Sequence, residues 1–191
     1  MTKKILGSFF TAALLIAGSG PAALCQLNSN TATVSLSATL GESLSISATP
    51  TSTSFNLIAG GTAQATAPVA ITTTWILSGS RSSVTLTSWF ANAAQALTSG
   101  GSAPVYIPTS EVLGQVTTGS PTTFTAFTQS PGTGGLGVAG ASLVLFNQGI
   151  TNTNRNANRT DNLNLEINLT SQPQLPAGTY TGTLNLQAQA L

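Results

Sequence analysis

Residues 31–48 read TATVSLSATLGESLSISA, and their spacing decides the fold class. Val34, Leu36, Ala38 and Leu40 alternate with Thr33, Ser35, Ser37 and Thr39. After Gly41 the alternation resumes through Leu44, Ile46 and Ala48 and stops at Pro50. A helix needs apolar residues three or four apart to make one face, whereas a pleated strand sends every second side chain to the same side. Period two, β-branched residues and Gly/Pro punctuation therefore predict strands beginning at Thr31.

The same signal recurs along the chain. Further strands are predicted at Ser54–Leu57, Ala67–Leu77, Ser83–Phe90, Val105–Ile107, Glu111–Val116, Thr123–Thr128, Ser142–Phe146, Asn162–Leu169 and Thr179–Ala190. Between them lie glycine-rich or polar pieces at 60–67, 99–104, 130–140 and 151–162, read as loops because glycine at such density is costly to order in a strand. The 130–140 piece, SPGTGGLGVAG, is expected to be mobile, and 151–162, TNTNRNANRTDN, to be a long hairpin tip. Only Trp89–Leu97, rich in alanine, invites a helical turn. Many short strands in succession predict an all-β protein, a single antiparallel immunoglobulin-like β-sandwich.

Residues 1–25 have the make-up of a signal peptide: Lys3 and Lys4, an apolar run from Ile5 to Gly18, then small residues to Cys25. Ala23 and Cys25 place the cut after Cys25, with Ala22 as a variant site. Lipidation at Cys25 is the alternative, and the bulk of Leu24 opposes it. The domain is then 26–191, secreted or exposed at the cell surface, with no segment for membrane insertion.

Charged residues make up 5% of the chain. Beyond residue 25 they are Arg81, Arg155 and Arg159 against Glu42, Glu111, Asp161 and Glu166, with no Lys, His, Cys or Met. Nucleic acid lacks the cationic field that would attract it. Nucleophile–base pairs built on His, Lys or Cys are excluded, as are disulfides and soft metal ligands, so no cofactor is expected. Two facing carboxylates could still serve a glycosidase. Glu166, alternating with Leu165 and Ile167, and Asp161, placed at the hairpin tip, are instead expected to be solvated and dispensable for folding. Asn152, Asn154, Asn156 and Asn158 have the two-residue spacing of a calcium loop, but Arg155 and Arg159 oppose a cation there.

The C-terminal stretch Leu175-Pro176-Ala177-Gly178-Thr179-Tyr180 has the letters of a sorting signal in the wrong order, with no apolar span or basic tail after it. It reads instead as a tyrosine corner, in which Gly178 makes the turn and Tyr180 returns its hydroxyl to backbone upstream. Leu163–Leu169 and Tyr180–Ala190 are expected to pair as a terminal hairpin. This ending resembles the last strand pair of secreted bacterial fimbrial-subunit and spore-coat-U-type surface domains, over roughly the final thirty residues. The resemblance implies an immunoglobulin-like sandwich that assembles on a cell surface. Any strand-donating extension would have to be the first alternating run itself.

Aromatic side chains complete the candidates. Trp75 shares parity with Val69, Ile71 and Leu77 and is expected in the core, as a structural residue alongside Gly178 and Tyr180. Trp89 and Tyr106 have the opposite parity from their apolar neighbours and are the candidate ligand-binding residues, able to stack on a glycan if they lie together. The expected function is a non-enzymatic structural or adhesive surface component, self-assembling through uncharged edge strands or binding other surface proteins. A carbohydrate-binding module is the alternative.

Overall fold

The computed structural model describes residues 29–132 and 134–191, so the predicted signal peptide lies outside the described residues. Two units make up the chain, Met1–Ala38 and Thr39–Leu191, and the described strands all belong to the second, called the body below. Its strands are β1 (Ser43–Thr49), β2 (Thr62–Gln64), β3 (Val69–Ile76), β4 (Ser83–Trp89), β5 (Leu97–Thr98), β6 (Tyr106–Ile107), β7 (Val112–Val116), β8 (Thr125–Ala126), β9 (Ser142–Gly149), β10 (Asn156–Asn168) and β11 (Asn185–Ala190). The protein is an all-β antiparallel sandwich. One sheet runs β1-β3-β10-β7-β8 with β2 also on β10; the other runs β11-β4-β9; β5 and β6 form a separate pair.

Alternation explains the layers. On β3, Val69, Ile71, Thr73 and Trp75 are buried while Ala70, Thr72, Thr74 and Ile76 face away. On β10, Asp161, Leu163, Leu165 and Ile167 point the same way, toward Val84, Leu86, Leu143 and Leu145 of the facing sheet. Trp75 is the expected core tryptophan, its indole N–H donating to the Asn154 carbonyl at 2.8 Å. Gly114 on β7 admits the side chains of Leu143, Leu163 and Phe127, which a Cβ would crowd.

Several expectations are corrected. Residues 31–42 form no strand, and the first strand starts at Ser43. Ser54–Leu57 contributes only the bridge Phe55–Ala65, while the 60–67 loop contains β2. No helical turn forms at 89–97; the one described helical turn is a 3-10 turn at Thr109–Glu111. The long tip shrinks to 151–155, because β10 begins at Asn156 and pairs with β3 from Asn156 to Leu163. The terminal hairpin does not exist. β10 belongs to one sheet and β11 pairs with β4 of the other, so the segment between them crosses the sandwich. Both strands carry an apolar face, and facing each other across the core buries those faces without requiring them to be neighbours.

The described residues of the glycine-rich 130–140 stretch, expected to be a mobile connection, lie against the outside of the three-stranded sheet. Gln189 of β11 donates to the Gly134 carbonyl, and Thr87 and Ser142 are buried there. Gly134 and Gly137 have φ of 90° and 114°, and a Cβ on either would collide with Gln189 or Ser142. Glycine lets the backbone approach the sheet this closely.

Candidate functional site

The two long sides of the sandwich end differently. On one side the edge strand β9 is latched: Ser120 donates to the Leu145 carbonyl, Gln129 bridges Ser142, and the Gln129 amide oxygen accepts from Val144 N–H. On the other side β1 and β11, the edges of the two sheets, lie against one another, and each has a single strand partner. Their inward residues, Leu44, Ile46 and Ala48 on β1 and Leu186, Ala188 and Ala190 on β11, are only partly buried.

Beyond Thr49 this seam widens into a groove of about 1110 Å³. One wall is the segment 50–57 with Phe55 and Leu57; the other is 175–184 with Leu175, Tyr180 and Leu184; the floor is core, including Val69, Val112, Ile167 and Leu169. It opens because neither wall is a full strand. Residues 50–57 make one bridge and 175–184 make one, Thr181 to Thr98. Gly182 sets the course of the second wall, since a Cβ there would strike the Ala96 carbonyl.

In sequence, the run quoted at the outset precedes β1. Val34, Leu36 and Leu40 are 81%, 92% and 80% exposed, values that large aliphatic side chains rarely show in company. At the start of β1 the chain is fixed by Glu42, which accepts from Arg81 at 3.1 Å and from Ser78 N–H at 2.7 Å. The Arg81 guanidinium, followed by the Ser78 N–H, holds the Glu42 carboxyl down to a pKa of about 2. This anchor lies at the Ile76 end of β1, opposite the groove, which adjoins the Thr49 end.

The predicted site residues fall as follows. Tyr180 donates its hydroxyl to the Pro176 carbonyl at 2.8 Å, the contact expected of a tyrosine corner. Gly178 is not required for it: its φ is not in the left-handed region and a Cβ there meets nothing within 4 Å. Trp89 is half-buried at the end of β4, its carbonyl accepting from Asn185, and Tyr106 is exposed on β6. Among the described residues the one ring-to-ring contact is Phe90 with Phe127, and the Trp89 and Tyr106 rings are not in contact with one another. The asparagines of the calcium-like spacing are separated: Asn152 accepts from Arg155, Asn154 from Thr151 N–H, and Asn156 and Asn158 lie on β10. No group of three His, Cys, Asp or Glu side chains placed to hold a metal ion occurs among the described residues.

Asp161 is the acid whose placement differs most. It is 1% exposed in the middle of β10, paired with Arg159 at 2.6 Å and accepting from Thr118 Oγ1 at 2.7 Å. Arg159 also lies 4.6 Å over the Phe146 ring. The signal was in the parity, since 159 and 161 continue the 163–165–167 face. Glu166 faces outward, within 3.4 Å of Gln64, as its alternation requires. The two acids thus lie on opposite faces of one sheet and cannot flank a common substrate. Family models, curated proteins and solved structures yield no match to this chain.

Proposed function

We propose that this protein is a secreted, non-enzymatic structural or adhesive surface component whose copies join by strand addition. The alternating run 31–40 of one copy enters the open seam and groove of the next. The observation that carries this reading is the pairing of an exposed apolar run with an apolar groove whose floor is the sandwich core. A strand inserted there gains main-chain hydrogen bonds from a free edge and pockets for every second side chain. Ten extended residues span on the order of 33 Å, enough for the groove and part of the β1–β11 seam. Because β1 begins at Ser43, beside Ile76, and the groove adjoins its Thr49 end, such joints are head-to-tail and give either closed rings or open chains. The likeness to fimbrial-subunit and spore-coat-U-type domains belongs to the same proposal, and its support is the turn at Pro176–Tyr180.

The test compares residues 26–191, a form beginning at Thr39, and Leu36→Asp by light scattering. The intact chain is expected to form concentration-dependent multimers. The other two should remain monomers with unchanged melting, since the core of the body includes no residue before Leu44. A synthetic peptide of residues 31–40 should bind the shortened form. An intact chain that stays monomeric at high concentration refutes the proposal.

A further inference from the structure

Two asparagines are followed, two places on and with no proline between, by a threonine: Asn158-Arg159-Thr160 and Asn168-Leu169-Thr170. This spacing is the acceptor motif for N-linked oligosaccharide in exported proteins, and it sets a hydroxyl to work on the asparagine amide. Both motifs begin on β10, which shapes them differently. Asn158 is exposed but sits within the β3 ladder opposite Thr74, where a side chain two residues on stands about 6.7 Å away. The Thr160 hydroxyl is also taken by Thr72, at 2.8 Å.

Asn168 is the last residue of its strand, and there the chain turns. The Gln172 N–H closes the turn on the Leu169 carbonyl at 2.9 Å, with Leu169 buried beneath it and Thr170 at the surface. The Asn168 Oδ1 accepts from Thr170 N–H at 3.1 Å and from Thr170 Oγ1 at 2.7 Å. Its Nδ2 makes no hydrogen bond among the described residues and is not one of their buried unpartnered atoms, so it meets solvent. The Nδ2 groups of Asn154, Asn164 and Asn185, by contrast, are each bonded. Two donors on Oδ1 draw charge onto that oxygen and make the Nδ2 protons easier to remove. Beyond residue 25 the chain has four carboxylates, and one of them, Glu166, lies two places ahead of Asn168 on the same side of β10. Bacterial acceptor motifs carry an acid at that place, where a charge-assisted contact can hold the chain. A turn that merely ended a strand would ask for an acceptor oxygen, which aspartate supplies equally, and would call for neither the hydroxyl nor the acid.

We infer that Asn168 is an acceptor for N-linked oligosaccharide, delivered from a lipid-diphosphate donor by an oligosaccharyltransferase. Asn168 Nδ2 attacks the anomeric carbon of the first sugar and forms the N–C bond. The bond from that carbon to the diphosphate oxygen breaks, the lipid diphosphate leaves with the electron pair, and Nδ2 gives one proton to a carboxylate of the transferase. In the cell such transfer takes place outside the cytoplasm and so rests on the export proposed above, but not on strand addition. Ile167 and Leu169 belong to the groove floor, and alternation puts Asn168 on the other side of the sheet, so the glycan leaves the groove open.

The experiment mixes the purified full chain with a bacterial N-oligosaccharyltransferase and its lipid-linked oligosaccharide in detergent, and reads the masses of the intact protein and its proteolytic fragments. One glycan per chain is expected, on the fragment that holds Asn168. Asn168→Asp keeps the acceptor oxygen of the turn, and Thr170→Ala keeps the asparagine; both should stay unmodified with unchanged far-UV spectra. Glu166→Gln should react roughly tenfold more slowly, and Asn158→Gln at the parent rate. An unmodified parent chain, a glycan on Asn158 instead, or a Thr170→Ala form modified as fast as the parent overturns the inference. Because the reaction in detergent needs no export, a chain modified there but retained inside a bacterial cell counts against secretion and upholds the acceptor site. Modification of Leu36→Asp at the parent rate upholds it whether or not strand addition fails.

Discussion

Asp161 and Thr73 sit on inward faces of neighbouring strands, and each is polar for a different reason. Asp161 has its charge met by Arg159 and its second oxygen by Thr118. Removing one partner of a buried pair strands the other, a cost of about 3–5 kcal/mol when both are enclosed. The Arg159 side chain is 23% exposed and can recover some hydration, so Asp161→Ala should cost about 2–3 kcal/mol in urea unfolding. Glu166→Gln should stay within about 0.5 kcal/mol of the parent. Thr73 is fully buried with no partner for its Oγ1. Thr73→Val keeps the shape and strand preference while removing an uncompensated hydroxyl, so it should raise stability by about 1 kcal/mol. Parity made Trp75 legible as core. It also put Asp161 on the core face, but a carboxylate beside an asparagine-rich stretch reads as solvent-exposed until a partner such as Arg159 is known.

At the scale of elements, alternation located most strands to within a few residues and failed where pairing depends on distant chain. Residues 31–40 alternate as well as β1 does, yet β1 has β3 beside it and the run has no strand partner among the described residues. β2 is three residues in a glycine-flanked stretch and exists because the end of β10 offers it a ladder. The groove was invisible for the same reason, being made where two walls fail to become strands. The Glu42–Arg81 contact at the head of β1 has a pH signature. Its carboxyl is held at about 2 against an ordinary value of 4.5, so its contribution is complete above that ordinary value and fades as pH falls toward 2. The melting-temperature gap between the parent and Glu42→Gln should be constant above about pH 5 and close as pH approaches 2. A gap that persists unchanged to pH 2 would show that the ion pair does not act on stability.

For the molecule as a whole, the shortage of charge is the property that most constrains behaviour. Repulsion between copies is weak, and the free edges of β1 and β11 lack the lysines that commonly deter pairing. The proposed assembly through residues 31–40 should therefore proceed at similar rates from low to high ionic strength, as measured by light scattering. A steep salt dependence would indicate that charged groups, not the apolar run, control the joint. Fold class was readable from the sequence because it depends on periodicity, which is local. Sheet membership was not, because the last two strands could bury their apolar faces either side by side or across the core.

The pairing of β11 with β4 joins residues 96 positions apart, Asn185 with Trp89. β4 must also wait for β9 before it has any neighbour at all. During synthesis, then, the middle strand of the smaller sheet remains unpartnered until most of the polypeptide has been made, and its outer neighbour comes last. Closure of such distant loops is slow. A premature stop anywhere before Asn185 would release a product with Leu86 and Val84 uncovered along one side, a substrate for proteases rather than a shortened functional protein.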